Sequence, residues 1–176
     1  MIILITGSSH VGKTLLAQKL LEKYKFPYLS IDHLKMGLIR SGNTSLTPED
    51  DGKLTDCLWP IVREMIKTAV ENRQNLIVEG CYVPFGWRRD FESGYLSEIR
   101  FICLAMTEKY IDGHFDEIIK HASDIENRLY DDGFTPEKAK MCNKVFIEGY
   151  KKSGERVTLI ENDFPSVLQS LLDEQL

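Results

Sequence analysis

Residues 7–14 read Gly7-Ser8-Ser9-His10-Val11-Gly12-Lys13-Thr14, and they follow directly on the apolar run Ile2-Ile3-Leu4-Ile5. The segment matches the phosphate-binding pattern G-x-x-x-x-G-K-[S/T] at every fixed position. A strand in front of the pattern and a helix behind it form the context that confirms it, so the sequence predicts a strand–loop–helix unit that binds a nucleoside triphosphate. The helix is indicated by apolar residues at helical spacing, namely Leu16, Ala17, Leu20, Leu21 and Tyr24.

Each residue type in this phosphate loop (residues 7–14) has a defined task. The glycines let successive backbone N–H groups turn inward on the phosphates, Lys13 places a cation near the β and γ oxygens, and the Thr14 hydroxyl can bind Mg²⁺. A Gly/Ser turn that binds nothing is the alternative, and the flanking strand and helix argue against it. The predicted nucleotide contacts are Gly7, Ser8, Ser9, His10, Val11, Gly12, Lys13, Thr14 and Leu15.

Size and charge limit the classes of function. With 176 residues, 43% of them apolar, the sequence predicts one domain over residues 1–176. The 22 Lys and Arg against 27 Asp and Glu give a net charge of -5, and no basic run could follow a polynucleotide backbone. Long nucleic acids are therefore not expected as partners, whereas a small phosphorylated ligand is compatible with an acidic protein because the site sets its own local potential.

The cysteines and the N-terminal sequence predict a cytoplasmic protein. Four widely spaced cysteines form no C-x-x-C pair or zinc-type pattern, so we expect reduced, mostly structural thiols. The first strand begins at residue 2 without a basic segment before it, which argues against a signal peptide, and no stretch approaches the ~20 apolar residues of a membrane span. The four are Cys57, Cys81, Cys103 and Cys142.

Short apolar strands alternate with helical patterns along the whole chain. This alternation is typical of a parallel sheet covered on both faces, a three-layer α/β sandwich whose ligands gather at the carboxyl ends of the strands. The predicted strands are residues 2–6, 28–31, 76–78, 99–104 and 157–160. The residues directly behind them are the loop from Gly7, then Asp32, Glu79, Thr107-Glu108 and Asn162-Asp163.

Two segments are predicted to cover the site. Thr47 and Pro48 read as the cap and first residue of a helix, and Pro60 predicts a kink or break near Trp59, which gives two helices. The first part, about residues 33–58, is the expected acceptor-binding flap. The polar segment at about 124–135 is the expected lid.

Two acids at predicted strand ends are the main candidates for chemistry. Asp32 can accept or orient the hydroxyl of a phosphoryl acceptor, and its alternative role is the cap of a helix entered at His33. Glu79 ends the third strand where an acid could hold a metal-bound water. Gripping the acceptor or capping a turn are the alternatives for Glu79.

Arginines are the expected partners of the phosphoryl groups. Arg128 in the lid could move in as closure expels water, while Arg40 and the pair Arg88-Arg89 could clamp a phosphate or carboxylate of the acceptor. The alternative for each of them is a solvated surface side chain.

The chain resembles the P-loop small-molecule kinases over its full length. The resemblance rests on the phosphate loop together with Asp32, Glu79, the flap and the lid. That group contains nucleoside monophosphate, shikimate and gluconate kinases and chloramphenicol phosphotransferase. The sequences Ile5–Thr14 and Ser30-Ile31-Asp32-His33-Leu34-Lys35 are most similar to bacterial adenylate-kinase-like or 2-phosphoglycerate-kinase-like proteins. The resemblance implies five parallel strands in the order 2-3-1-4-5, an adenine slot near the last strand and lid, and lid closure over ATP.

The sequence also departs from adenylate kinases. It has Glu79-Gly80-Cys81-Tyr82-Val83-Pro84-Phe85 where they carry D-G-F-P-R after the third strand, and its lid has one arginine instead of several. We therefore expect an ATP- and Mg²⁺-dependent phosphotransferase acting on a small hydroxylated or phosphorylated metabolite. Lys13, Asp32 and Arg128 would be catalytic, Asp32, Arg40, Glu79 and Arg88 would bind the acceptor, and Thr14 and Glu79 would hold the metal. An ATP-binding switch or slow ATPase that acts through a protein partner is the alternative; a GTP switch is disfavoured because the motif N-K-x-D is absent.

Overall fold

An all-parallel sheet of five strands forms the centre of the part that the structure, a computed structural model, describes: residues 1–122, 125 and 133–174. The strands follow the order β2-β3-β1-β4-β5, so the predicted topology is confirmed. Their bounds lie within two residues of the predicted ones: β1 Ile2–Gly7, β2 Tyr28–Ser30, β3 Leu76–Glu79, β4 Ile99–Met106 and β5 Val157–Ile160.

The strand register brings the predicted functional segments to one edge. Gly7 pairs with Leu104 on one side of β1, and Ile5 pairs with Glu79 on the other. Ser30 at the end of β2 also pairs with Glu79. Because all these strands are parallel, the phosphate loop and the segments that follow β2 and β3 leave the sheet at the same carboxyl edge.

Helices cover both faces of the sheet. Alternate residues of β1 supply two cores: Ile2 and Leu4 face the side that includes α3, while Ile3 and Ile5 face the side of α1, α5 and α7. Period-two alternation in a strand that is buried on both faces gives this division. The three-layer α/β prediction is confirmed. The helices are α1 Lys13–Tyr24, α2 Ile31–Arg40, α3 Asp51–Glu71, α4 Ser93–Leu96, α5 Glu108–Lys120, α6 Pro136–Lys152 and α7 Phe164–Asp173, with a 3₁₀ turn at Trp87–Asp90.

Side-chain caps define the starts of two late helices. The Thr135 hydroxyl accepts from the Lys138 N–H at 3.3 Å, with Pro136 as the first helical residue of α6. Asp163 accepts from the Ser166 N–H at 3.0 Å at the start of α7. Each cap satisfies a backbone donor that has no partner within the helix.

The segment before α3 differs from the expectation that Thr47 caps this helix and Pro48 is its first residue. Residues 47–50 form a turn instead of the first helical turn, because Asp50 accepts hydrogen bonds from the Thr47 N–H and hydroxyl at 3.0 and 3.1 Å. The backbone hydrogen bond from Thr47, then the Lys53 ammonium, lowers the pKa of Asp50 to about 2. The helix begins at Asp51 and runs unbroken to Glu71.

Pro60 therefore does not divide this region into two helices. Its ring lies on the exposed side of α3, while the neighbouring Leu58, Trp59 and Val62 are buried against the sheet. We attribute the continuity to this packing, since burial of three large side chains outweighs the roughly 3 kcal/mol cost of an interior proline. Within the described residues, no helix is long and apolar enough to cross a membrane.

Candidate active site

The phosphate loop has a backbone that only glycine fits at two positions. Gly7 has φ of +145°, and a Cβ there would come within 2.1 Å of the Leu104 carbonyl oxygen. Gly12 has φ of +83°, and its Cβ would come within 2.4 Å of the Phe164 ring. The two fixed glycines of the pattern are thus explained by left-handed backbone angles and by close packing on β4 and α7.

Lys13 stands over this loop. It is the first residue of α1, its side chain is buried, and its ammonium donates to the Ser8 carbonyl at 2.7 Å. The Ser8 hydroxyl is buried as well, with no hydrogen-bond partner among the described residues. A buried cation at a helix N-terminus, beside an unsatisfied hydroxyl, suits a polyanionic ligand such as a triphosphate.

A cavity of about 430 Å³ opens beside the loop. Its walls are residues 10 and 12–15, together with Tyr110 and Ile118 of α5 and Phe164 and Leu168 of α7. The volume lies in the usual range for a small-molecule site. Phe164 and Pro165, which follow β5, line the cavity, whereas Gly7, Ser8, Ser9 and Val11 of the phosphate loop are not among its lining residues.

Glu79 is the last residue of β3 and pairs with Ile5, just before the phosphate loop. It is 1% exposed, and one of its oxygens, Oε1, accepts from the Tyr28 phenol at 2.8 Å and the Ser30 hydroxyl at 3.0 Å. Burial raises the pKa of this carboxyl, against the Lys13 charge and the two hydrogen bonds, which lower it, and the nearby Asp32 raises it further. In the sheet Glu79 pairs with Ile5 and with Ser30, so the phosphate loop, Asp32 and Glu79 leave neighbouring strands at one edge.

Asp32 belongs to the first turn of α2. The helix begins at Ile31 with Ser30 in the cap position, so the alternative that Asp32 caps a helix entered at His33 is wrong. Its Oδ1 lies 2.6 Å from the ammonium of Lys35, one turn further along. The Asp32 side chain keeps 37% of its surface exposed, so it remains accessible to a ligand.

Lys35 extends this pair toward α3. Its ammonium donates to the Tyr82 phenol at 2.9 Å, and the phenol donates to Asp51 Oδ1 at 3.1 Å. Burial raises the pKa of Tyr82 well above its ordinary value, so the phenol stays a neutral donor. Burial also raises the pKa of the adjacent Cys81 thiol, where the charges of Lys13, Asp32, Asp51 and Lys35 all act.

The predicted arginines are not brought together at this edge. Arg88 donates from Nε and one Nη to the two oxygens of the buried Glu155, at 2.5 and 3.1 Å, and its guanidinium covers the Trp87 ring. This bidentate pairing with Glu155 engages the Arg88 guanidinium. Arg40 is exposed at the end of α2, and Arg128 lies outside the described residues, as does most of the predicted lid.

The two predicted metal ligands are oxygen donors, the ligand type that Mg²⁺ prefers. The Thr14 hydroxyl is in the first turn of α1 and Glu79 ends β3, at the same carboxyl edge. The described residues contain no group of three or more His, Cys, Asp or Glu side chains able to hold a metal. Mg²⁺ in nucleotide sites commonly takes one or two protein oxygens together with phosphates and waters, so a hydroxyl and one carboxylate suffice.

Sequence reasoning missed three side chains of this site. The sequence does contain a signal for Lys35, because Asp and Lys three residues apart on a helix meet on one face. Tyr82 and Phe164 carry none, because their contacts with Lys35 and Gly12 join segments far apart in the sequence.

Comparison with solved structures supports the fold described above. No protein-family model matches the chain, and no relative was found among curated sequences. Among solved structures, it resembles a shikimate kinase from Aquifex aeolicus, at 13% identity and a TM-score of 0.54 over 98% of this chain and 94% of that one. A gluconokinase from Sinorhizobium meliloti gives 13% identity and a TM-score of 0.53 over 97% and 88%, and a shikimate kinase from Bacteroides thetaiotaomicron gives 15% and 0.51 over 98% and 97%. The chain thus has the fold of P-loop small-molecule kinases.

Proposed function

We propose that this protein transfers the γ-phosphoryl group of ATP to a hydroxyl group of a small molecule. The observation that carries the proposal is the sheet register: Glu79 pairs with Ile5 before the phosphate loop and with Ser30 before Asp32, which brings a phosphate-binding cation and an accessible carboxylate to one edge. The likeness to solved kinases supports it at the level of the fold.

Four free cysteines support a reducing setting, and we propose the cytoplasm.

The chain's own residues would divide the task as follows. The loop N–H groups and Lys13 hold the β and γ phosphates, and the cavity between α5 and α7 takes the base. The acceptor oxygen forms a bond to the γ phosphorus, the bond from that phosphorus to the bridging oxygen breaks, and ADP leaves. Asp32 orients the acceptor hydroxyl and takes its proton.

Charge compensation completes the proposed site. Thr14 and Glu79 would hold Mg²⁺, which supplies positive charge to the phosphate oxygens when bound. Arg128 is proposed to add a further positive charge from the lid, and Arg40 to contact the acceptor. Preorganised charge of this kind is the main source of acceleration in phosphoryl transfer.

The test is a panel of hydroxylated and phosphorylated metabolites, each added to the protein with Mg²⁺ and ATP, and in parallel with GTP. One compound class should stimulate ADP release and gain a phosphoryl group by mass spectrometry. Stimulation by a protein partner only, with no phosphorylated small molecule, would instead establish the switch.

Asp32→Asn isolates the acceptor step. We expect ATP affinity close to that of the wild type and acceptor-dependent turnover lower by about 10²–10⁴, the range for a positioned acid or base. Lys13→Ala is the contrasting variant, which should lose nucleotide affinity itself. Unchanged turnover in Asp32→Asn with the true acceptor would remove Asp32 from the mechanism.

A further inference from the structure

We propose that Lys35 is a positioning residue for phosphoryl transfer: its ammonium fixes the Asp32 carboxylate, while Tyr82, whose phenol is bonded to Asp51, fixes the ammonium. The inference rests on the proposed function, because it takes Asp32 as the group that meets the acceptor. It adds a residue that does not itself touch the reacting atoms.

The exposure of the two partners separates their roles. The Lys35 side chain is 13% exposed, whereas that of Asp32 is 37% exposed, although the ammonium and Oδ1 lie 2.6 Å apart. An approaching acceptor therefore reaches the carboxylate more easily than the ammonium. Two of the three N–H bonds of Lys35 are accounted for by Asp32 and Tyr82.

The ammonium is held from outside its own helix. Tyr82 is 3% exposed, follows β3 by three residues and accepts from Lys35 at 2.9 Å. Its phenol donates to Asp51, the first residue of α3, at 3.1 Å. Asp32 is thus connected through Lys35 to the segment behind β3 and to the start of α3, which keeps it from depending on the rotamers of α2 alone.

Such fixation matters for this reaction in particular. Phosphoryl transfer passes through a loose transition state, so alignment of the acceptor oxygen contributes more than a strong base does. A displacement of about 1 Å in a positioning group can lower the rate by about 10²-fold. The bonds of Lys35 act on this alignment before the acceptor arrives.

The kinetic test compares Lys35→Met and Lys35→Arg, using the acceptor that the metabolite panel selects. We expect Lys35→Met to lower kcat by about 10–10²-fold with little change in the KM for ATP, and Lys35→Arg to recover most of the loss. In the Asp32→Asn background, Lys35→Met should cause no further loss, because Lys35 acts only through Asp32. An equal loss in both backgrounds, or a rise in the acceptor KM alone, would overturn the inference and make Lys35 a direct acceptor contact.

A second test needs no acceptor. Urea unfolding midpoints are measured for Lys35→Met, Asp32→Asn and the double variant, where coupling predicts shifts that are less than additive. The matched control is the Lys19–Glu22 pair, also three residues apart on a helix at 3.1 Å but with side chains 46% and 56% exposed, for which near-additive shifts are expected. Additive shifts for Lys35 and Asp32 would overturn the inference whatever the panel finds. Coupling in a protein that phosphorylates nothing would instead refute the proposed function, and the positioning role with it.

Discussion

Glu79 illustrates what a single residue contributes beyond its place in the sequence. An acid behind a short apolar run predicts a polar group at the edge of the sheet, and the structure has it there. Glu79 is buried, and its Oε1 accepts hydrogen bonds from the hydroxyls of Tyr28 and Ser30, which lie about fifty residues away in the chain. Burial raises the pKa of Glu79 while those two hydrogen bonds lower it, and since both depend on the folded surroundings, no local pattern could predict the net rise.

Glu79→Gln should change how stability depends on pH. Burial raises the pKa of Glu79 in the folded state, so the stability that this group contributes is present below its ordinary pKa of about 4.3 and is lost as pH rises through the higher folded value. Glutamine keeps an oxygen for Tyr28 and Ser30 but does not ionise. The free energy of unfolding of the variant relative to the wild type should therefore rise as pH increases above that ordinary pKa.

The measurement is urea denaturation across a series of pH values, with EDTA and without nucleotide. Glu64→Gln is the control of opposite sign, because hydrogen bonds from Arg63 and Lys67 lower the pKa of the exposed Glu64. That variant should lose relative stability, slightly, as pH rises toward the ordinary pKa of glutamate, so the series also includes points below that pKa. A difference between Glu79→Gln and wild type that does not vary with pH would show that Lys13 already compensates for the burial.

At the level of elements, the sequence predicts type and order better than it predicts helix starts and breaks. Thr135-Pro136 and Phe164-Pro165 mark true helix starts, since local capping decides them. Thr47-Pro48 carries the same signal but forms a turn held by Asp50. Pro60 should end a helix by local rules, yet α3 continues because its other face packs against the sheet. Tertiary packing overrides the local preference in that case.

Two helical glycines provide an element-scale prediction. A Cβ on Gly37 in α2 would meet nothing within 4 Å, whereas a Cβ on Gly149 in α6 would come within 2.5 Å of the Phe85 ring. Gly37→Ala should raise the free energy of unfolding by about 0.5–1 kcal/mol, since alanine restricts the unfolded chain and favours the helix. Gly149→Ala gains the same preference but must displace a ring that packs on Tyr150, so we expect no net gain or a loss.

Chemical denaturation of both variants beside the wild type tests this comparison. Circular dichroism of the native state serves as the control that each variant keeps its helix content. A gain for Gly149→Ala equal to that of Gly37→Ala would mean that Phe85, which is 38% exposed, moves aside at no cost.

For the whole molecule, the alternation of strands and helices predicts a parallel sheet covered on both faces, whereas the strand order follows only from the resemblance to P-loop small-molecule kinases. A parallel sheet with its ligand edge at the strand ends follows from that pattern and from the phosphate-binding motif. The cavity beside the phosphate loop could not be derived in the same way, because its walls come from the loop, α5 and α7, which meet only after folding. Its apolar lining residues look like ordinary core positions in the sequence.

Leu168→Trp tests whether that cavity is where the nucleotide binds. Leu168 lines it from α7, and an indole there would occupy part of the roughly 430 Å³ without adding charge. A ligand at about a hundred times its Kd stabilises a protein by about 2.7 kcal/mol, or roughly 5–10 °C in Tm at this size. The wild type should show such a rise in Tm with Mg²⁺ and ATP, and Leu168→Trp should lose most of it. Gln169→Trp, at the next and exposed position of α7, should keep it. An undiminished rise in Leu168→Trp would place the base outside this cavity.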